Sequence, residues 1–133
     1  MNQLIEQVNA DDMLRRFGAY YTTQIQIICG DDIYHFSINA GQVSEGDSNT
    51  LEEGFSLTGS NEVWDKYCAD VPPPEHHEFA ALFANGHISL KGDMYALQSN
   101  VMYVRRLLEL WREHRRGKKR VGQPQAVQGR NRK

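Results

Sequence analysis

Hydrophobic and polar positions change rhythm three times along this chain. Asn2 to Arg16 sets Leu4, Ile5, Val8, Met13 and Leu14 among charged residues at a loose helical period. Asp11 and Asp12 interrupt it and can cap a second turn starting at Met13, and Gly18 closes the segment. From Tyr20 the period becomes two. Tyr21, Ile25, Ile27 and Cys29 share one face and Thr22, Gln24 and Gln26 the other, the pattern of a half-buried strand. Gly30-Asp31-Asp32 predicts a tight hairpin, after which Ile33 to Ile38 alternates again with Tyr34, Phe36 and Ile38 on one face. Asn39-Ala40-Gly41 turns the chain into a short polar strand, Gln42 to Gly46, with the composition of a sheet edge. A polar loop leads to a fourth strand, Gly54 to Thr58, with Phe55 and Leu57 on one side. Four successive strands predict an antiparallel meander.

The second half is mainly helical. Ser60 is suited to cap a short helix carrying Val63, Trp64 and Tyr67, and Pro72-Pro73-Pro74 breaks it. A helix is predicted over Glu75 to Ala84, stopped by Asn85-Gly86. His87 to Lys91 follows as a fifth strand with Ile88 and Leu90 inward. Gly92-Asp93 then opens a long helix in which Met94, Leu97, Val101, Val104, Leu108 and Trp111 form one apolar stripe. Met102, Tyr103, Leu107 and Leu110 widen that stripe. The elements define an α+β fold: a five-stranded, mostly antiparallel sheet covered on one face by helices. With Trp64, Tyr67, Phe79, Leu82 and Phe83 added, the apolar material exceeds what one layer of sheet contacts requires. A well-filled core, a homodimer interface and a ligand cavity lined by Met and aromatics all account for the surplus.

The length of 133 residues suits one domain, and 40% hydrophobic with 24% charged residues is an ordinary globular composition. No run of about 20 apolar residues is present to cross a bilayer, and the first residues lack the basic flank and apolar stretch of a secretory signal. Cys29 and Cys68 form no metal-type pair and read as inert core thiols, which fits a reduced, cytoplasmic protein. The net charge of −2 conceals a partition: residues 112–133 carry nine basic residues and one acid, whereas the rest holds six basic and sixteen acidic ones. The chain divides accordingly into a domain over residues 1–116 and a disordered basic tail over 117–133. The tail serves either as a solubilising end or as a transient contact with an anionic membrane, where each basic residue contributes about 1 kcal/mol. An acidic protein would meet the same charges. Nucleic acid is not an expected partner, since the acidic body repels phosphate.

Little in the sequence speaks for catalysis. Glu75-His76-His77-Glu78 has no helical metal-ligand spacing and reads as a solvated first turn of helix. His35 and His87 fall on strand faces opposite their apolar neighbours; a catalytic base would have to be one of these two, turned into a polar end of the cavity. No nucleophile elbow or phosphate-binding glycine loop occurs, and no motif calls for a metal or a cofactor.

Two stretches carry a family likeness. Gly54-Phe55-Ser56-Leu57-Thr58-Gly59-Ser60 runs on to Trp64, and Gly86-His87-Ile88-Ser89-Leu90-Lys91-Gly92-Asp93 enters the Met- and Leu-rich helix. Together with the hairpin ending Tyr34-His35-Phe36-Ser37-Ile38-Asn39-Ala40-Gly41, this resembles the sterol-carrier-protein family of nonspecific lipid-transfer domains, over about residues 12 to 111. The carboxyl end, Gly129-Arg130-Asn131-Arg132-Lys133, departs from the peroxisomal address of eukaryotic members. The resemblance implies a hydrophobic tunnel between sheet and helices for fatty acyl chains, acyl-CoA esters or sterols. Its expected lining here is Phe36, Phe55, Leu57, Trp64, Phe79, Phe83, Ile88, Met94, Leu97, Val101 and Met102. A small enzyme using the same cavity and a non-catalytic oligomerising module are the alternatives.

Overall fold

The computed structural model describes residues 2–46 and 53–122, with side chains up to residue 117. Helices α1 (Asn2–Ala10) and α2 (Asp12–Phe17) lead into strands β1 (Thr23–Cys29), β2 (Asp32–Asn39) and β3 (Gln42–Glu45). After β4 (Phe55–Gly59) come α3 (Asn61–Tyr67), α4 (Phe79–Ala84), β5 (Ser89–Gly92), α5 (Met94–Gln98) and α6 (Val101–Gly122). The sheet order is β3-β2-β1-β4-β5.

One neighbour relation differs from the expected meander. β4 does not pair with β3; it crosses back and runs parallel to β1, with Ile25 opposite Phe55 and Ile27 opposite Leu57. The sheet is therefore mixed, and three of its four pairings are antiparallel. Alternation reports which face a residue takes and is silent on which strand lies alongside. Glycine makes the crossover tight: Gly54 has φ +90 and Gly92 φ +107. A methyl at Gly54 would run into the Gln24 carbonyl, and one at Gly92 into the Gly54 carbonyl, which accepts from Asp93 N at 2.8 Å.

Register puts the apolar residues on one face. Ile25, Ile27, Phe36, Ile38, Val43, Phe55 and Leu57 are buried there against helix residues that include Leu4, Leu14, Trp64, Leu82, Tyr103, Leu107 and Trp111. The opposite face carries Gln24, Gln26, His35, Ser37, Ser56 and Thr58. The capping residues act as their positions suggest: Asp11 accepts from Leu14 N, Ser60 from Val63 N and Asp93 from Ala96 N.

The expected long helix is two helices. Ser99 and Asn100 end α5, Ser99 Oγ donating to Tyr95 O at 2.7 Å, and α6 starts anew at Val101. The break leaves Met94 and Val101 exposed while Val104, Leu108 and Trp111 stay inward with Tyr103 and Leu107. Glu75 to Glu78 is not helical either. Glu75 sits at φ +70, and α4 begins only at Phe79. The polar loop at 47–52 falls outside the described residues, and the assigned tail starts within α6, which continues to Gly122; residues 123–133 also lie outside.

Candidate functional site

The eleven residues expected to line a ligand tunnel fall in or beside the layer between the inner sheet face and helices α3 to α6. Seven of the eleven expected lining residues are buried in it: Phe36, Phe55, Leu57, Trp64, Phe79, Ile88 and Leu97. The other four, Phe83, Met94, Val101 and Met102, are 36–46% exposed and mark its outer rim. Ion pairs orient that rim. Arg105 bonds Glu78 at the head of α4, so Val101, one turn earlier on α6, lies on the side of α4. Arg106 bonds Asp11 at 2.8 Å, which puts Met102 on the side of α2.

Deeper in, the packing is aromatic. Trp111 meets Trp64 edge-on at 5.2 Å and Tyr34 edge-on at 5.4 Å, and stacks on Tyr67 at 6.4 Å. Such pairs add to the burial of the rings themselves. Trp64 Nε1 donates to Ile28 O at 2.9 Å. Beside the cluster, Arg115 bonds Asp65 at 2.8 Å with nine-tenths of its side chain buried. Tyr34, Tyr67, Trp111 and Arg115, none of them among the eleven, pack in the same layer. Trp111 was visible in the apolar stripe, but Arg115 is one cation in a basic run and nothing local distinguishes it.

Burial pushes the Cys29 thiol up to about 12, and it raises Cys68 against the pull of the Arg115 guanidinium. Both are free, buried and protonated at neutral pH, as inert core thiols should be.

Neither candidate base faces this interior. His35 is on the outer sheet face, yet it is buried, 3% exposed, rather than at the surface. Its Nε2 donates to Gln24 Oε1 at 2.8 Å and its Nδ1 accepts from Gln26 Nε2 at 3.4 Å, so both ring nitrogens are engaged. His87 precedes β5 instead of lying on it; it bonds Glu75 at 2.9 Å and stacks on His76 at 4.5 Å. His76 itself is buried, with Nδ1 donating to Pro74 O at 2.9 Å, which replaces the expected solvated turn. Among the described residues no group of His, Cys, Asp and Glu is placed to hold a metal ion, and no helix is long and apolar enough to cross a membrane.

A separate cleft of about 270 Å³ opens between the start of β1 and α5, lined by residues including Tyr20, Tyr21, Thr23, Gly54, Asp93 and Tyr95. It contains none of the eleven residues expected to bind ligand.

A mixed five-stranded sheet with helices laid on one face, its last strand turning into α5 through the Gly92-Asp93 corner, is the sterol-carrier-protein-like fold. Among solved structures, sterol carrier protein 2 superposes with a TM-score of 0.67 at 13% identity, covering 84% of this chain and 92% of its own. A conserved hypothetical protein from Thermus thermophilus gives 0.62 at 14% identity, with 83% and 82% covered. UbiJ-SCP2, a ubiquinone synthesis protein, gives 0.51 at 13%, with 81% and 86% covered. Neither a protein-family model nor a curated protein sequence matches the chain.

Proposed function

We propose that this protein binds lipids or other hydrophobic small molecules between its sheet and helices α3 to α6, and carries them without turnover. The observation that supports this most is the continuity of apolar side chains from rim to interior. Phe83, Met94, Val101 and Met102 stand half-exposed at the helix ends, and the buried Leu97, Ile88 and Phe79 belong to the same elements or flank them. An exposed apolar rim around a greasy interior is how a chain-like ligand reaches it from water. Each buried methylene contributes about 0.8 kcal/mol, so an acyl chain gains useful affinity even after its ordering cost. The fold shared with sterol carrier protein 2 fits this reading.

The basic tail adds a finer proposal. Arg112, Arg115 and Arg116 are engaged within the fold, by His77 O, Asp65 and the carbonyls of Cys68 and Ala69. On this reading the later cations of the sequence, from Lys118 to Lys133, touch an anionic membrane when lipid is loaded. A cytoplasmic site of action suits the two reduced thiols.

Native mass spectrometry of the purified chain, together with displacement of a fluorescent fatty acid by unlabelled competitors, tests the reading. Co-purified acyl ligands and competitive displacement are expected. An empty protein that ignores the fluorescent probe would overturn it.

A further inference from the structure

If the interior takes an apolar chain, its buried polar atoms specify the head that chain carries. Two side-chain donors there, Trp111 Nε1–H and Arg115 Nη1–H, have no hydrogen-bond partner among the described residues. They stand one turn apart on the inward side of α6, with Arg115 Cζ 5.7 Å from the Trp111 ring centroid. Neither reaches bulk solvent: Trp111 is fully buried and the Arg115 side chain is 10% exposed. A buried donor left unmade is costly, and Trp64, whose indole N–H bonds Ile28 O, shows the ordinary remedy a few ångströms away.

The Tyr34 phenol oxygen and the Cys68 sulfur lie within hydrogen-bonding reach of other N–H groups of the Arg115 guanidinium, with Cys29 close by, and each still holds a proton of its own to donate. Both thiols keep their protons. Asp65 already balances the charge of Arg115, so a ligand carboxylate would bring a second negative charge into aromatic surroundings. An alcohol would bring one more donor. An uncharged carbonyl oxygen brings two lone pairs and no proton, the group this corner lacks.

We propose that Trp111 and Arg115 form the polar end of the ligand site and select apolar ligands bearing an uncharged carbonyl, a ketone or ester, over the acid, alcohol or alkane of equal length. The proposal rests on the hydrophobic-ligand reading above.

The test is a titration of the full chain, ¹⁵N-labelled at its two tryptophans, with methyl palmitate, palmitic acid, hexadecanol and hexadecane. Methyl palmitate should bind about tenfold more tightly than hexadecane, the equivalent of one good hydrogen bond. It should also move the Trp111 indole N–H signal downfield while the signal of Trp64, already bonded, stays in place. Trp111→Phe keeps an aromatic ring and removes the donor; the ratio of methyl palmitate to hexadecane affinity, both measured in the same variant, should then shrink severalfold. Equal binding of ester and alkane, tighter binding of acid or alcohol, or a bound ester that leaves the Trp111 signal unmoved would each overturn the proposal while leaving the carrier reading intact. Failure of all four ligands to bind would remove the carrier reading, and this proposal with it.

Discussion

The two ends of α6 are held in opposite ways. Towards its C-terminal part, Arg112 donates to His77 O, Arg115 grips Asp65, and Arg116 donates to Cys68 O and Ala69 O at 2.8 Å each. The Trp111 ring is wedged among Trp64, Tyr67 and Tyr34. At the N-terminal end Val101 and Met102 are half-exposed, the helix has just been restarted after α5, and the Arg105–Glu78 pair is an exposed contact at 3.4 Å. Pairs of that kind contribute little. The difference assigns roles. Local opening costs least where few buried contacts and mostly exposed polar ones hold an element, so on the proposed carrier reading a ligand would pass at the N-terminal end and be recognised at the other.

The firmest way to break the comparison is to remove its anchor. Trp111→Ala should destabilise the fold by about 3–5 kcal/mol, measured by urea unfolding, since it deletes a fully buried ring and leaves a cavity among three other aromatics. A loss below about 1 kcal/mol would mean that the closed end is not where α6 is secured. Next comes Arg116→Ala. It leaves two backbone carbonyls at the end of α3 without their charged donor and should cost about 1–3 kcal/mol in the same assay.

What could be read from the sequence follows the range of the interaction concerned. Strand faces and the caps at Asp11, Ser60 and Asp93 are decided within a few residues, and they agree with the structure. The place of β4 beside β1 is decided by a contact between Gly54 and Gln24, thirty residues apart, which no periodicity encodes. The α5–α6 break was hidden because Ser99 and Asn100 fit a helix nearly as well as they end one. Likewise the Pro-rich strap swings His76 inward through positive φ at Glu75, a conformation a glutamate does not advertise. Among the candidate lining residues, burial of Phe36, Phe55, Leu57 and Trp64 was legible from their inward-facing positions. Arg115 was not: Asp65 and Cys68, which give it meaning, lie nearly fifty residues earlier.

A smaller effect sharpens the comparison from the middle of α6. Arg106 reaches Asp11 through Nε and Nη2, and its guanidinium holds the Asp11 carboxyl below the usual carboxylate range. A depressed folded pKa gives stability that is complete above the ordinary value of 3.8 and disappears as pH falls through the lower folded value. Asp11→Asn, which preserves the helix cap, should therefore lower stability by about 1 kcal/mol at neutral pH, with the gap to the parent protein closing in acid as the pH falls below 3.8 and on through the lower folded value. Urea midpoints measured across that range check it, and a gap that widens on acidification would reverse the assigned sign.

The smallest effect on folding separates the rim from the core. Val101→Asp and Met102→Asp place a charge on side chains already 43% and 46% exposed, so each should shift stability by no more than about 0.5 kcal/mol. Ligand binding should respond far more. A charged rim must be crossed or desolvated by an incoming acyl chain, so displacement of the fluorescent fatty acid should weaken severalfold in both variants, and association should slow more than dissociation. The same substitution at Ile33, another exposed apolar residue, at the start of β2 and away from the helix ends, is the control and should leave binding unchanged. Loss of binding in all three would point to a general charge effect, and retention in all three would mean that ligands reach the interior by a route other than the open end of α6.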